Sequence, residues 1–106
     1  MDNIKYEVRR EFLPVRTALE KLSSGQLEKV EEAIRTLGAD PRPEEYRCRK
    51  IESNVYKIWV AIDGVEVAVI YEVRDSERLI DLINIKQMGP IALTLRWLDG
   101  LSEFTP

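Results

Sequence analysis

The residues best suited to chemistry in this chain lie between positions 46 and 60. Arg47, Arg49, Lys50 and Lys57 stand there against Glu52 alone, a net of +3 in a chain whose overall charge is −3. A cluster of this kind has two readings. It is a solvated strand edge, where Lys and Arg discourage pairing with another sheet, or it is a patch that contacts phosphates. Trp59 lies two residues beyond Lys57. A large aromatic on an outward face serves as an anchor for a partner or as a platform on which a base stacks. Cys48 lies between Arg47 and Arg49. Cationic neighbours lower a thiol pKa, whereas burial leaves the thiol inert. Glu66 and Glu72 are candidate bases, or cross-strand partners for Lys57 and Lys86. Tyr71, with apolar neighbours, reads as a core residue.

Composition removes several alternatives. The chain has no histidine, which excludes His-based triads, His-assisted acid–base catalysis and most zinc sites. No metal and no cofactor is expected. A single cysteine cannot form an internal disulfide, which fits a reducing cytosol and a cytoplasmic location. No apolar run approaches the ~20 residues that a membrane-spanning helix needs. The first residues, Met1-Asp2-Asn3-Ile4-Lys5, lack the basic-then-apolar layout of a signal peptide. A length of 106 residues suits one domain that buries roughly 60–70% of its unfolded surface.

The elements that must position these residues follow from local patterning. Tyr6–Phe12 reads as a first strand with Tyr6, Val8 and Phe12 turned inward. Pro14 suits the first turn of a helix, and Val15, Ala18, Leu19 and Leu22 fall on one helical face. Ser23 with Gln26 forms a capping box for a second helix. Leu27, Val30, Ile34 and Leu37 are its apolar stripe, and Gly38 its stop. Two helices joined by so few residues form an antiparallel hairpin. Pro41 and Pro43 mark a connector. Residues 46–51 and 55–62 follow as strands, and Asp63-Gly64 signals a hairpin. The run 65–73 is the most β-rich in the chain, its stretch Val67-Ala68-Val69-Ile70-Tyr71 is apolar on both faces, as in a central strand, and residues 79–86 form the last strand. Met88-Gly89-Pro90 ends it, and 91–98 reads as a short C-terminal helix. The result is an α+β domain: an N-terminal strand, then a helical hairpin packed on one face of a mostly antiparallel sheet of four to five strands. Alternation turns Lys57 and Trp59 to the other face, away from Tyr56 and Ile58.

Tyr56-Lys57-Ile58, then Asp63-Gly64, then Val69-Ile70-Tyr71-Glu72-Val73 resemble the RelE/ParE toxin superfamily. Arg49-Lys50-Ile51, Leu82-Ile83-Asn84-Ile85 and the proline-containing loop 37–43 are similar to flanking segments of that family. The resemblance spans about residues 5–88, a RelE-like core, with 89–106 as a C-terminal extension.

The resemblance implies a toxin of a toxin–antitoxin pair. Its partner is a cognate antitoxin wrapped over the domain, and its activity is ribosome-dependent cleavage of mRNA. Such cleavage needs a base for the ribose 2′-OH, an acid for the leaving 5′-oxygen, and cations for the phosphorane charge. On this resemblance Lys57 and Lys86 are the catalytic candidates of a metal-independent endoribonuclease, and Arg47, Arg49, Lys50 and Trp59 bind RNA. The pattern departs from the family at Ala68, which replaces an arginine, and at Trp59, which replaces a second basic residue. It departs again at Lys86-Gln87-Met88, which replaces a Gly-His-Arg ending, and no tyrosine follows Tyr71. These departures imply weakened catalysis. They leave open a non-catalytic alternative: a degenerate toxin that still binds an antitoxin, or a ParE-like inhibitor of gyrase.

Overall fold

In a computed structural model, residues 5–62 and 64–90 are described. The elements run β1 (Glu7–Arg9), α1 (Leu13–Glu20), α2 (Ser24–Ala39), β2 (Arg49–Glu52), β3 (Val55–Ile62), β4 (Val65–Arg74) and β5 (Leu79–Pro90). Single 3₁₀ turns occupy Glu44–Tyr46 and Asp75–Glu77. The five strands form one sheet in the order β1-β5-β4-β3-β2. All neighbours are antiparallel except β1 and β5, which run parallel. The α+β expectation holds, with β4 in the centre as its two-sided apolar run requires.

One face of the sheet carries the core. Ile58, Val60 and Ile62 of β3, Val67, Val69, Tyr71 and Val73 of β4, and Ile80, Leu82 and Ile85 of β5 pack against Val15 and Leu19 of α1 and Val30, Ala33, Ile34 and Leu37 of α2. The helices form because their apolar residues recur every three or four positions, so that each buries one stripe. The Ser23–Gln26 capping box is formed in both directions, at 3.3 and 3.1 Å, and satisfies two backbone or cap groups that would otherwise lack partners.

Four sequence expectations are corrected. Phe12 is not an inward strand residue. It is 53% exposed and caps α1, because β1 ends at Arg9, where its pairing with β5 ends. Gly38 does not stop α2, which continues to Ala39. Its missing side chain serves a close approach instead. Its carbonyl accepts the Tyr6 N–H at 2.7 Å, and a Cβ there would lie 3.3 Å from the Tyr6 carbonyl oxygen. The strand expected at 46 begins at Arg49, after the 3₁₀ turn and a left-handed Arg47. The last strand does not end at Lys86, and Met88-Gly89-Pro90 belongs to it. It pairs with β4 through Pro90, past a register shift at Glu66/Val67. The helix expected at 91–98 lies outside the described residues.

One tie between sheet and helices titrates. Arg10 donates two hydrogen bonds to Glu31 at 2.7 and 2.9 Å, and this partner holds the Glu31 carboxyl below the ordinary range. A group whose folded pKa is depressed stabilises the protein above its unfolded pKa, and that stabilisation is lost as pH falls through the folded one. Chemical denaturation at neutral pH and at pH ~3 is expected to show a smaller acid-induced loss of stability for Glu31→Gln than for the wild type. Equal losses would mean the pair contributes nothing.

Candidate functional site

The face of the sheet away from the helices presents the even-numbered side chains of β4 and the odd-numbered ones of β3. Register fixes its rows. Arg49 lies opposite Lys57, Lys57 opposite Ile70, and Ile70 opposite Asn84. One row along, Trp59 lies opposite Ala68, and Ala68 opposite Lys86. A third row holds Ala61, Glu66 and Gly89. Strand spacings place the Cα atoms of Lys57 and Lys86 about 12 Å apart, which leaves room for one phosphodiester between their side chains.

Arg47, Arg49, Ile51, Lys57 and Trp59 line a groove of about 330 Å³. The Lys57 ammonium lies 4.5 Å from the centre of the Trp59 ring, and the Arg47 guanidinium 5.4 Å from it. The sequence-expected Arg47, Arg49, Lys57 and Trp59 therefore converge, and Lys86 closes the Trp59 row from the far side of Ala68. Lys50 does not join them. Its register partner is Tyr56, so it points to the helix side of the sheet at an exposed edge. Ile51, 49% exposed, takes its place in the groove; the same alternation that puts Lys57 outward marks Arg49 and Ile51 as a pair.

Charge is sorted along this face. At one end Arg9 pairs with Asp81 at 2.9 Å, and Arg74 reaches both Glu72 and Asp81 at 3.5 Å. At the other end Arg49, Lys57 and Lys86 have no carboxylate within ion-pairing distance among the described residues. Glu66 does not pair with Lys57 or Lys86 as expected. Its carboxylate is buried and accepts a hydrogen bond from Nη2 of Arg47. The signal was present in the sequence: an acid inside the apolar run of β4 must find a counter-charge. Glu72 pairs with Arg74. Ala68, where the resemblance expects a cation, is fully buried between Trp59 and Lys86 and brings no charge to the row.

The loop that carries Arg47 is anchored from beneath. The Tyr71 hydroxyl donates to the Pro41 carbonyl at 2.6 Å and meets Cys48 Sγ at 3.3 Å. Burial and the Cys48 contact push that hydroxyl far above the usual tyrosine range, so it stays protonated and serves as the donor that holds the loop. Arg42 spans from the Tyr56 ring, 5.0 Å away, to Asp75 at 2.7 Å, and Asp75 also accepts from Tyr6 at 2.6 Å. The Arg42 and Tyr6 bonds hold the Asp75 carboxyl below its ordinary range. Among the described residues no group of three Cys, Asp or Glu side chains is placed to hold a metal ion, and no helix is long and apolar enough to cross a membrane.

This arrangement of strands and helices is the RelE toxin fold. The chain superposes on the isolated E. coli RelE toxin with a TM-score of 0.65 at 17% identity, covering 91% of this chain and 98% of that one. It superposes on the intact E. coli RelBE toxin–antitoxin complex with a TM-score of 0.64 at 19% identity, over 78% of this chain and 96% of that one. For the archaeal RelE–RelB complex of Pyrococcus horikoshii OT3 the values are 0.63 and 21%, over 82% and 96%. No protein-family model and no curated protein matches the sequence.

Proposed function

We propose that this chain is the toxin of a toxin–antitoxin pair, and that it inhibits translation in the cytoplasm by cutting mRNA on the ribosome. The observation that carries the reading is the gathering of Arg49, Lys57 and Lys86 around Trp59, without carboxylate partners among the described residues, on the sheet face away from the two helices. RNA cleavage by 2′-OH attack needs no metal when cations flank the phosphate. As the 2′-oxygen bonds to phosphorus its proton passes to solvent water, Lys57 is suited to stabilise the phosphorane, and Lys86, across the row, to give a proton to the 5′-oxygen as its bond to phosphorus breaks. Arg49 and Arg47 contact the backbone, while Trp59 orients the two nearest cations. Solved structures with this fold include RelE bound to RelB, which supports an antitoxin as the partner.

Expression of the chain without an antitoxin is expected to arrest growth and to leave cuts in transcripts at ribosomal A sites, mapped by primer extension. Normal growth with intact transcripts would refute the cleavage reading. One observation favours a second reading, a binding module without catalysis: the centre of the row is the buried methyl of Ala68. In that case the protein binds its antitoxin tightly, and no transcript is cut.

A further inference from the structure

Resting on the RNA-cleaving reading above, we propose that Glu66 is a positioning residue. It fixes the Arg47 guanidinium on the open face, and Arg47 meets an RNA phosphate with the edge that Glu66 leaves free. Among the described residues Glu66 is the only buried charged side chain, 4% exposed. A carboxylate in that setting requires a counter-charge. It does not draw one from its own row, where its neighbours are Ala61 and Gly89. The partner arrives from the loop before β2. Arg47 has φ 55° and ψ 48°, a left-handed conformation rare for a residue with a long side chain.

Three constraints thus converge on one guanidinium: the left-handed backbone, the Glu66 carboxylate and the Trp59 ring. The Arg47 side chain nevertheless remains 50% exposed. A guanidinium has five N–H donors in a planar fork. With Nη2 committed to Glu66, the rest of the fork meets no other hydrogen-bonding partner among the described residues and lies in the groove shared with Arg49 and Lys57. A donor held in place before the ligand arrives needs no reorganisation when phosphate charge develops. As a fold clamp the pair is a poor device, because apolar side chains in place of a buried ion pair are often neutral or stabilising.

The position of Glu66 gives this role a signature that a structural role lacks. Glu66→Gln keeps the size of the side chain and an acceptor for Arg47, but removes the negative charge. The face then gains one net positive charge, so half-saturation with RNA should fall and its dependence on salt should steepen by about 0.7 in log–log slope. The weaker hold on Arg47 should lower the maximal rate about tenfold. Affinity and rate therefore move in opposite directions.

The test is single-turnover cleavage of mRNA on ribosomes with an open A site, across a salt series, for the full-length wild type, E66Q and R47K. R47K keeps the positive charge and the neutralisation of Glu66 but not the fork. Its rate should fall about tenfold with the salt slope unchanged, and it decides the matter if E66Q fails to fold by circular dichroism. A wild-type maximal rate in folded E66Q or in R47K would overturn the positioning role alone. Failure of the wild type to cut would overturn the cleavage reading and this role together.

Discussion

Lys57→Ala is expected to abolish growth arrest and to lower the maximal rate of mRNA cleavage by roughly 10²–10³, the usual cost of one preorganised transition-state charge. The magnitude follows from placement. Lys57 lies on the open face opposite Arg49 and Ile70, its ammonium rests 4.5 Å from the Trp59 ring, and it has no carboxylate partner among the described residues. Because the side chain does not contribute to the core, stability should change by no more than ~0.5 kcal/mol. Thermal melting on the same sample separates a chemical effect from a folding defect. A variant that melts like the wild type and still arrests growth would remove Lys57 from the site. Loss of antitoxin binding in step with activity would instead make it a contact residue of that interface.

Tyr71→Ala is expected to cost about 3–5 kcal/mol, a large fraction of the 5–15 kcal/mol available to a typical domain. Tyr71 is fully buried, its ring stacks 6.0 Å from that of Tyr56, and its hydroxyl holds the loop at Pro41 and Cys48. The informative comparison is Tyr71→Phe, which keeps the ring and leaves the Pro41 carbonyl without its donor. About 1–3 kcal/mol should be lost. Because that loop leads to Arg47, the cleavage rate of the folded Phe variant should fall as well. Equilibrium urea unfolding gives the first quantity, and cleavage at saturating enzyme the second. A Phe variant with wild-type stability would show that the hydroxyl contact is not holding the loop.

The elements whose signals are local were legible in the sequence. The Ser23–Gln26 cap, the helical stripes and the apolar run of β4 each depend on residues within a few positions of one another, and each appears as expected. The outward placement of Lys57 and Trp59 followed from strict alternation alone. What local pattern could not show was which distant partner a residue meets. Gly38 reads as a helix stop, yet it is a contact for Tyr6, more than 30 residues earlier. Lys50 and Arg49 are indistinguishable by type; alternation sends them to opposite faces, but only the pairing of β2 with β3 decides that Arg49 is the one beside Lys57. Glu66 shows by its surroundings that it needs a counter-charge, but the left-handed turn that delivers Arg47 is set by the fold.

The parallel seam between the first and last strands governs when this molecule can exist. Val8 lies beside Ile80, so β1, although Tyr6 also meets Gly38 of α2, cannot join the sheet until almost all of the described polypeptide has been made. Contacts so distant in sequence form late and slowly. A nascent chain would therefore carry Lys86 on an unpaired last strand until late, and the five-stranded sheet would close only once residues 79–90 are available. If the cleavage reading holds, that delay separates the machine that synthesises the protein from the activity that would attack it.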